Sequence, residues 1–431
     1  MAMVRTYSVS KTQIRWTELY PVICLILLAT APAIFLGEGN RNLALIVLMF
    51  IAPLFMLRKT LSTEAFLILG FAISIVTFPA LVHSGGTRWS TVLYSLMFCG
   101  LFISYDGMLR RGKLRLAIFV NIVRYLIIAY TVVLLIQQLC VLLGLPIFNL
   151  SNYDPSERWK LNSLSAEPSH SARIMGILMM SYILGSRILV RASKTFKVSQ
   201  RLHNVIWLCF FWTMITMTSA TSMVMIIIVL VANAQGKGFR FYAVGFLLAI
   251  FAILLLPGEL TERVFAISSA ALTLDYEAVL NADHSGAMRI APMLVLLDKL
   301  ELLSVSGLFG NGVDSVSLFM SDYIWGVAEG TPGGGLLAFW YEYGLIAFLF
   351  FVFFTLKTTS ALKSPSNFLI WFALIFIANV NNQMVWLTII LLHTLNFYRQ
   401  KSELVGKREN LSSPTYVFHG KVVSEAHSGL G

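Results

Sequence analysis

A chain of 431 residues with 57% hydrophobic and only 12% charged residues is too apolar for a soluble globule of that length. Its formal charge of +11 would suit a nucleic-acid partner only if the basic residues gathered on a soluble surface, and they do not. Cys24, Cys99, Cys140 and Cys209 all fall inside apolar runs, with neither a disulfide framework nor metal-ligand spacing.

Runs of about 17–25 apolar residues read as membrane spans. About twelve emerge, several of them short: residues 19–35, 43–57, 65–82, 90–105, 114–143, 172–190, 205–218, 222–234, 241–256, 336–356, 368–380 and 385–398. The first lacks a small-residue cleavage site and reads as a retained signal anchor. The fifth is longer than a bilayer needs, so it tilts or protrudes. The predicted class is all-α, a polytopic integral membrane protein. Residues 1–401 form its helical domain, and the polar tail 402–431, which lacks any period, is expected to be cytoplasmic and disordered.

Charge sets the expected orientation. With the N-terminus in the cytoplasm and one crossing per span, most of the 32 basic residues fall on the cytoplasmic side. Most of the 21 acidic residues fall outside, and Arg124 lies within the fifth run, snorkelling toward its cytoplasmic end. Both termini are then cytoplasmic. Two external connections are long, about 146–171 and 257–335, and long loops on one side of a bundle of tight turns are where function is expected. In the second loop, residues 288–303 carry apolar residues at helical spacing and predict an amphipathic helix. Thr216, Thr218, Ser219, Thr221 and Ser222 suggest a short external turn.

The first loop ends in Glu167-Pro168-Ser169-His170-Ser171-Ala172-Arg173. Pro168 fixes its own φ and pushes Glu167 out of the helical region, so a helix should start at the proline with serines beside it as caps. The helix dipole favours Glu167 at that end but not Arg173, which hints at an anionic partner. The plainer reading keeps Arg173 on lipid phosphate and Glu167 as a cap. Glu167 or His170 can serve as general base. Arg158, Arg173, Arg263 and Arg289 offer planar forks to phosphate oxygens, with lipid head groups as the alternative target. His284 is a further loop histidine, more simply read as solvated. Gly310-Asn311-Gly312 is a weak signal that a tight turn explains equally well. No His/Cys/carboxylate cluster has metal spacing, so neither metal nor cofactor is expected.

Taken together, the Glu167–Arg173 motif, Arg289 on its amphipathic helix, Gly307-Leu308-Phe309-Gly310-Asn311-Gly312 and Trp340-Tyr341-Glu342-Tyr343-Gly344-Leu345-Ile346 resemble the O-antigen polymerase and O-antigen ligase superfamily. The resemblance covers roughly residues 150–360 plus the topology, and each motif is degenerate. It implies a GT-C-like glycosyltransferase of the bacterial inner membrane that acts on its periplasmic face. Such an enzyme transfers a growing glycan from undecaprenyl diphosphate to a lipid-linked repeat unit, making lipopolysaccharide or exopolysaccharide without a metal. Carried over, Arg173 and Arg289 hold the diphosphate, with Arg158 and Arg263 as further candidates, and Glu167 or His170 activates the acceptor. Glu342 belongs to the late motif. Partners implied are the undecaprenyl-diphosphate-linked oligosaccharide, membrane lipids and a chain-length regulator protein. The superfamily's ligases usually carry a histidine before the late motif. Thr331-Pro332-Gly333-Gly334-Gly335 stands there instead, which favours polymerase over ligase. A flippase or exporter of lipid-linked oligosaccharide is the reading from a different class. It would need charged groups along its spans.

Overall fold

The computed structural model describes residues 18–30, 42–55, 62–82, 87–147, 158–192, 199–217, 219–234, 269, 276–282, 284–324 and 333–412. Of these, residues 55, 220, 281–282, 284–289 and 405–412 are described by their backbone alone. Among them every regular element is a helix, with no strand. α1 (Leu19–Ala29), α2 (Leu43–Ile51), α3 (Thr63–Val82), α4 (Trp89–Arg110) and α5 (Leu116–Leu143) are followed by α6 (Pro168–Ala192), α7 (Gln200–Thr216) and α8 (Ala220–Ala234). Four short helices come next: α9 (Tyr276–Ala282), α10 (His284–Lys299), α11 (Val305–Phe309) and α12 (Val316–Ser321). α13 (Gly335–Thr359), α14 (Pro365–Trp371) and α15 (Gln383–Ser412) complete the bundle.

Among the described residues, five helices, α3, α4, α5, α6 and α13, are long and apolar enough to cross a membrane. Shorter apolar helices cover Leu19–Ala29, Leu43–Leu54, Thr221–Ala234 and Pro365–Phe376. The expected ninth span, 241–256, lies outside the described residues. The eleventh differs from expectation. α14 passes into a π-helical turn, Phe372–Phe376, and helix gives way to turns before α15 begins. Local chemistry marks several helix ends. Asn42 accepts from the Leu45 amide at 3.1 Å and Ser62 Oγ from the Ala65 amide at 3.1 Å, each capping the helix that follows. α5 ends in a Schellman turn, with the Leu145 amide on the Cys140 carbonyl at 2.8 Å.

Side-chain pairs fix how the helices run. Phe98 stacks on Trp386 at 5.3 Å with ring planes 2° apart, and Tyr105 meets Thr394 at 2.8 Å, so α4 and α15 are parallel. α1 and α5 are parallel as well, through Glu18–Arg115 at 2.7 Å and the Tyr130 hydroxyl on the Ala29 carbonyl at 2.5 Å. Gly176 sits against Met225, and Arg187 donates to the Ala232 carbonyl at 3.0 Å, which makes α6 and α8 parallel. Tyr398 bonds the Leu114 carbonyl, and Gly185 lies beside both Val120 and Leu395. One end of the bundle therefore gathers Arg110, Arg115, Arg187 and Arg399; we call it the basic end. The opposite, loop end holds Arg88, Asp314 and the segment 158–167.

Two boundaries move. The amphipathic helix expected over 288–303 starts earlier and stops at Lys299. Ser304 ends the run by capping α11, its Oγ accepting from the Gly307 amide at 2.9 Å. Ala291, Val295 and Leu296 are buried against Val316, Met320, Ile324, Leu337 and Ala338, so α10 packs on the bundle. The tail expected to lose order from residue 402 continues as helix to Ser412. Gln400, Lys401, Glu403 and Leu404 are good helix formers, and no proline interrupts them. Residues 413–431 lie outside the described set.

Candidate functional site

At the loop end, α6 begins at Pro168, as the sequence predicts. The Glu167 carbonyl accepts the first helical bond from the Ser171 amide at 3.1 Å, and the Glu167 carboxylate takes the Ser169 hydroxyl. His170 Nε2 lies 3.5 Å from Glu167 Oε1. Both side chains are about one-third exposed. Arg173 follows one turn on and is half-buried. An acid, an imidazole and a guanidinium thus share the first two turns of a helix long enough to span a membrane.

The segment that leads into this helix is held by α5. Gln137 is fully buried. Its Oε1 accepts from the Ser163 amide at 2.8 Å, and its Nε2 donates to Asn162 Oδ1 at 3.3 Å. Ser163 Oγ donates to the Tyr130 carbonyl at 2.6 Å, and Ser165 and Ser171 share a bond of 2.6 Å. Replacing Gln137 with leucine strands the Ser163 amide and should cost about 1–3 kcal/mol. Thermal unfolding in detergent should fall, and proteolysis should increase near residue 163. An unchanged unfolding midpoint would remove Gln137 from this role.

A second construction lies at the same end. α13 is broken at Gly344, which has φ 83° and ψ 167°. The turn 310–314 docks on that break. The Asn311 amide donates to the Tyr341 carbonyl at 2.9 Å and the Gly312 amide to the Glu342 carbonyl at 3.2 Å. Trp340 Nε1 donates to the Gly307 carbonyl at 2.9 Å. Glu342 is 6% exposed, with the backbone of Asp314 and Val316 close to its carboxylate. The Asp314 carboxylate takes the Thr91 hydroxyl at 3.2 Å and lies 3.5 Å from the Arg88 guanidinium. Ser95 bonds Asn381, and the buried Tyr343 hydroxyl has no hydrogen-bond partner. The two glycine motifs noticed separately in the sequence are therefore one interlocked unit.

The remaining candidates are less gathered. Arg158 and Lys160 are exposed on the loop before α6. His284 opens α10 and Arg289 stands five residues further along it, but both side chains lie outside the described set, as does Arg263 altogether. Sequence reasoning missed Thr91, Ser95 and Asn381. The signal for them is weak, since small polar residues near helix ends usually serve as caps. It also missed a buried network toward the basic end. Asp106, fully buried, meets His393 Nε2 at 2.9 Å and Arg110 Nε at 2.8 Å, and Arg110 reaches Glu64 at 3.2 Å. Among the described residues, no three His, Cys, Asp or Glu side chains gather as a metal site.

No family model, no curated protein and no solved structure matches this chain.

Proposed function

We propose that the chain is a membrane glycosyltransferase that polymerises lipid-linked oligosaccharide units at the loop end of its bundle. The observation that carries this reading is the Glu167–His170–Arg173 set on the first two turns of α6. In this reading the loop end faces the periplasm of a bacterial inner membrane and the donor is an undecaprenyl-diphosphate-linked glycan. His170, oriented by Glu167, takes the proton of an acceptor sugar hydroxyl. The freed oxygen attacks the anomeric carbon of the donor glycan as the bond from that carbon to the diphosphate oxygen breaks. The diphosphate leaves with its charge held by Arg173, with Arg289 and Arg158 as further candidates from the neighbouring segments. Glu342 anchors the turn 310–314 at the same end of the bundle.

The test is a strain lacking this gene, complemented with wild type, Glu167→Gln, His170→Gln or Arg173→Gln. Surface polysaccharide is resolved on a gel, and lipid-linked repeat units are extracted. The variants should lose long chains while single units still reach the surface. Loss of a general base should slow transfer about 10²–10⁴-fold. Full-length chains accumulating on the lipid carrier would instead indicate a ligase. Long chains of wild-type abundance in all three variants would sink the assignment.

A second reading, a flippase or exporter, draws on the Asp106–His393 pair, because buried ionisable groups within spans mark transport paths. Repeat units trapped on the cytoplasmic side in the deletion strain would select it.

A further inference from the structure

Between α5, α6 and α7, toward the basic end, lie three buried polar atoms without a well-formed hydrogen bond: Arg124 Nε, the Tyr182 hydroxyl and Ser186 Oγ, the last two within weak reach of each other. Tyr182 and Ser186 stand four residues apart on one face of α6 and are only 2% and 8% exposed. The Arg124 guanidinium bears on the Tyr182 phenol from α5 and lies 4.8 Å over the Tyr125 ring. From α7, His203 stacks on Tyr182 at 5.8 Å between ring centroids and is itself fixed by Trp207, whose Nε1 donates to its Nε2 at 3.1 Å.

A guanidinium stays charged at any accessible pH, and Arg124 lies eight residues into α5, about 12 Å along the helix. Among the described residues no carboxylate pairs with it. A water molecule can satisfy a donor there but cannot offset a charge. A phosphate does both, because its oxygens accept from the guanidinium fork and from a hydroxyl of the Tyr182–Ser186 pair at once. The outward faces of the flanking helices are apolar and open, with Tyr125 61% and Leu208 67% exposed, as acyl chains beside the cluster require.

We propose that this cluster binds the phosphate head group of an anionic phospholipid in the leaflet at the basic end. The site is separate from the chemistry proposed at the loop end and does not depend on it. The protein is purified in a neutral maltoside detergent. Its unfolding midpoint is followed against dioctanoyl phosphatidylglycerol, dioctanoyl phosphatidylcholine or inorganic phosphate, each alone. The glycerol lipid should raise the midpoint of the wild type at concentrations where the choline lipid and inorganic phosphate do not. Arg124→Gln and Tyr182→Phe should each weaken the apparent affinity, the arginine change by about 10-fold or more. Arg191→Gln, at the exposed end of α6, should leave it unchanged. If Arg124→Gln fails to fold, Tyr182→Phe, which keeps the ring and its stacking, decides alone. An equal response in wild type and Tyr182→Phe, or an equal effect of the choline lipid, overturns the proposal. Equal stabilisation by inorganic phosphate overturns its lipid part and leaves a site for free phosphate.

Discussion

Gly310→Ala is expected to destabilise the bundle by about 3 kcal/mol or more. Gly310 has φ 89° and ψ 169°, a region open in practice only to glycine, and forcing another residue there costs about 1–3 kcal/mol. A Cβ at this position would also overlap the Glu342 carbonyl, which is backbone and cannot swing aside. Gly344→Ala should behave alike, because its Cβ would meet the Leu308 carbonyl. Each glycine lets the other's segment approach, so the double variant should cost less than the two single costs added. Thermal unfolding in detergent of the three variants measures this. Full additivity would mean that the turn and the break in α13 are independent. A melt of Gly310→Ala within a degree of wild type would mean that the interlock does not hold the fold.

Asp106→Ala should cost about 3–5 kcal/mol, because it leaves His393 and Arg110 facing a buried space without their carboxylate. Arg110 keeps Glu64 at 3.2 Å and is partly solvated, so most of the loss should come from His393, which is 3% exposed. Asp106→Asn retains an acceptor in the same place and should recover part of the stability. Unfolding of both variants, paired with the polysaccharide assay, separates two roles. If Asp106→Asn stays folded and active, the network braces α3, α4 and α15. If it stays folded but inactive, with units trapped inside, the buried pair handles protons and the exporter reading gains. Wild-type melting of Asp106→Ala would remove the bracing role.

Features set by a few neighbouring residues were legible in the sequence. The start of α6 follows from Pro168 and its effect on Glu167, both local restrictions on φ and ψ. The start of α10 was read too late, because its first turn, His284-Ser285-Gly286-Ala287, carries no apolar period although the backbone is already helical. The stretch after Ser402 is polar, and polarity alone says nothing against helix when the residues are good helix formers. Gly310-Asn311-Gly312 and Glu342-Tyr343-Gly344 were each visible, but their meeting, some 30 residues apart, depends on the docking of α10 to α12 on α13. Asp106 and His393, 287 positions apart, each look like a lone charge in an apolar run, and only packing makes them a pair.

The length of α15 has a mechanical consequence. Thirty residues of helix measure about 45 Å, while the hydrocarbon layer is about 30 Å thick. Tyr398 bonds the Leu114 carbonyl at the basic end, so the fourteen residues from there to Ser412 carry the helix on as a stiff mast of about 20 Å. Whatever follows Ser412 starts its path from the tip of that mast.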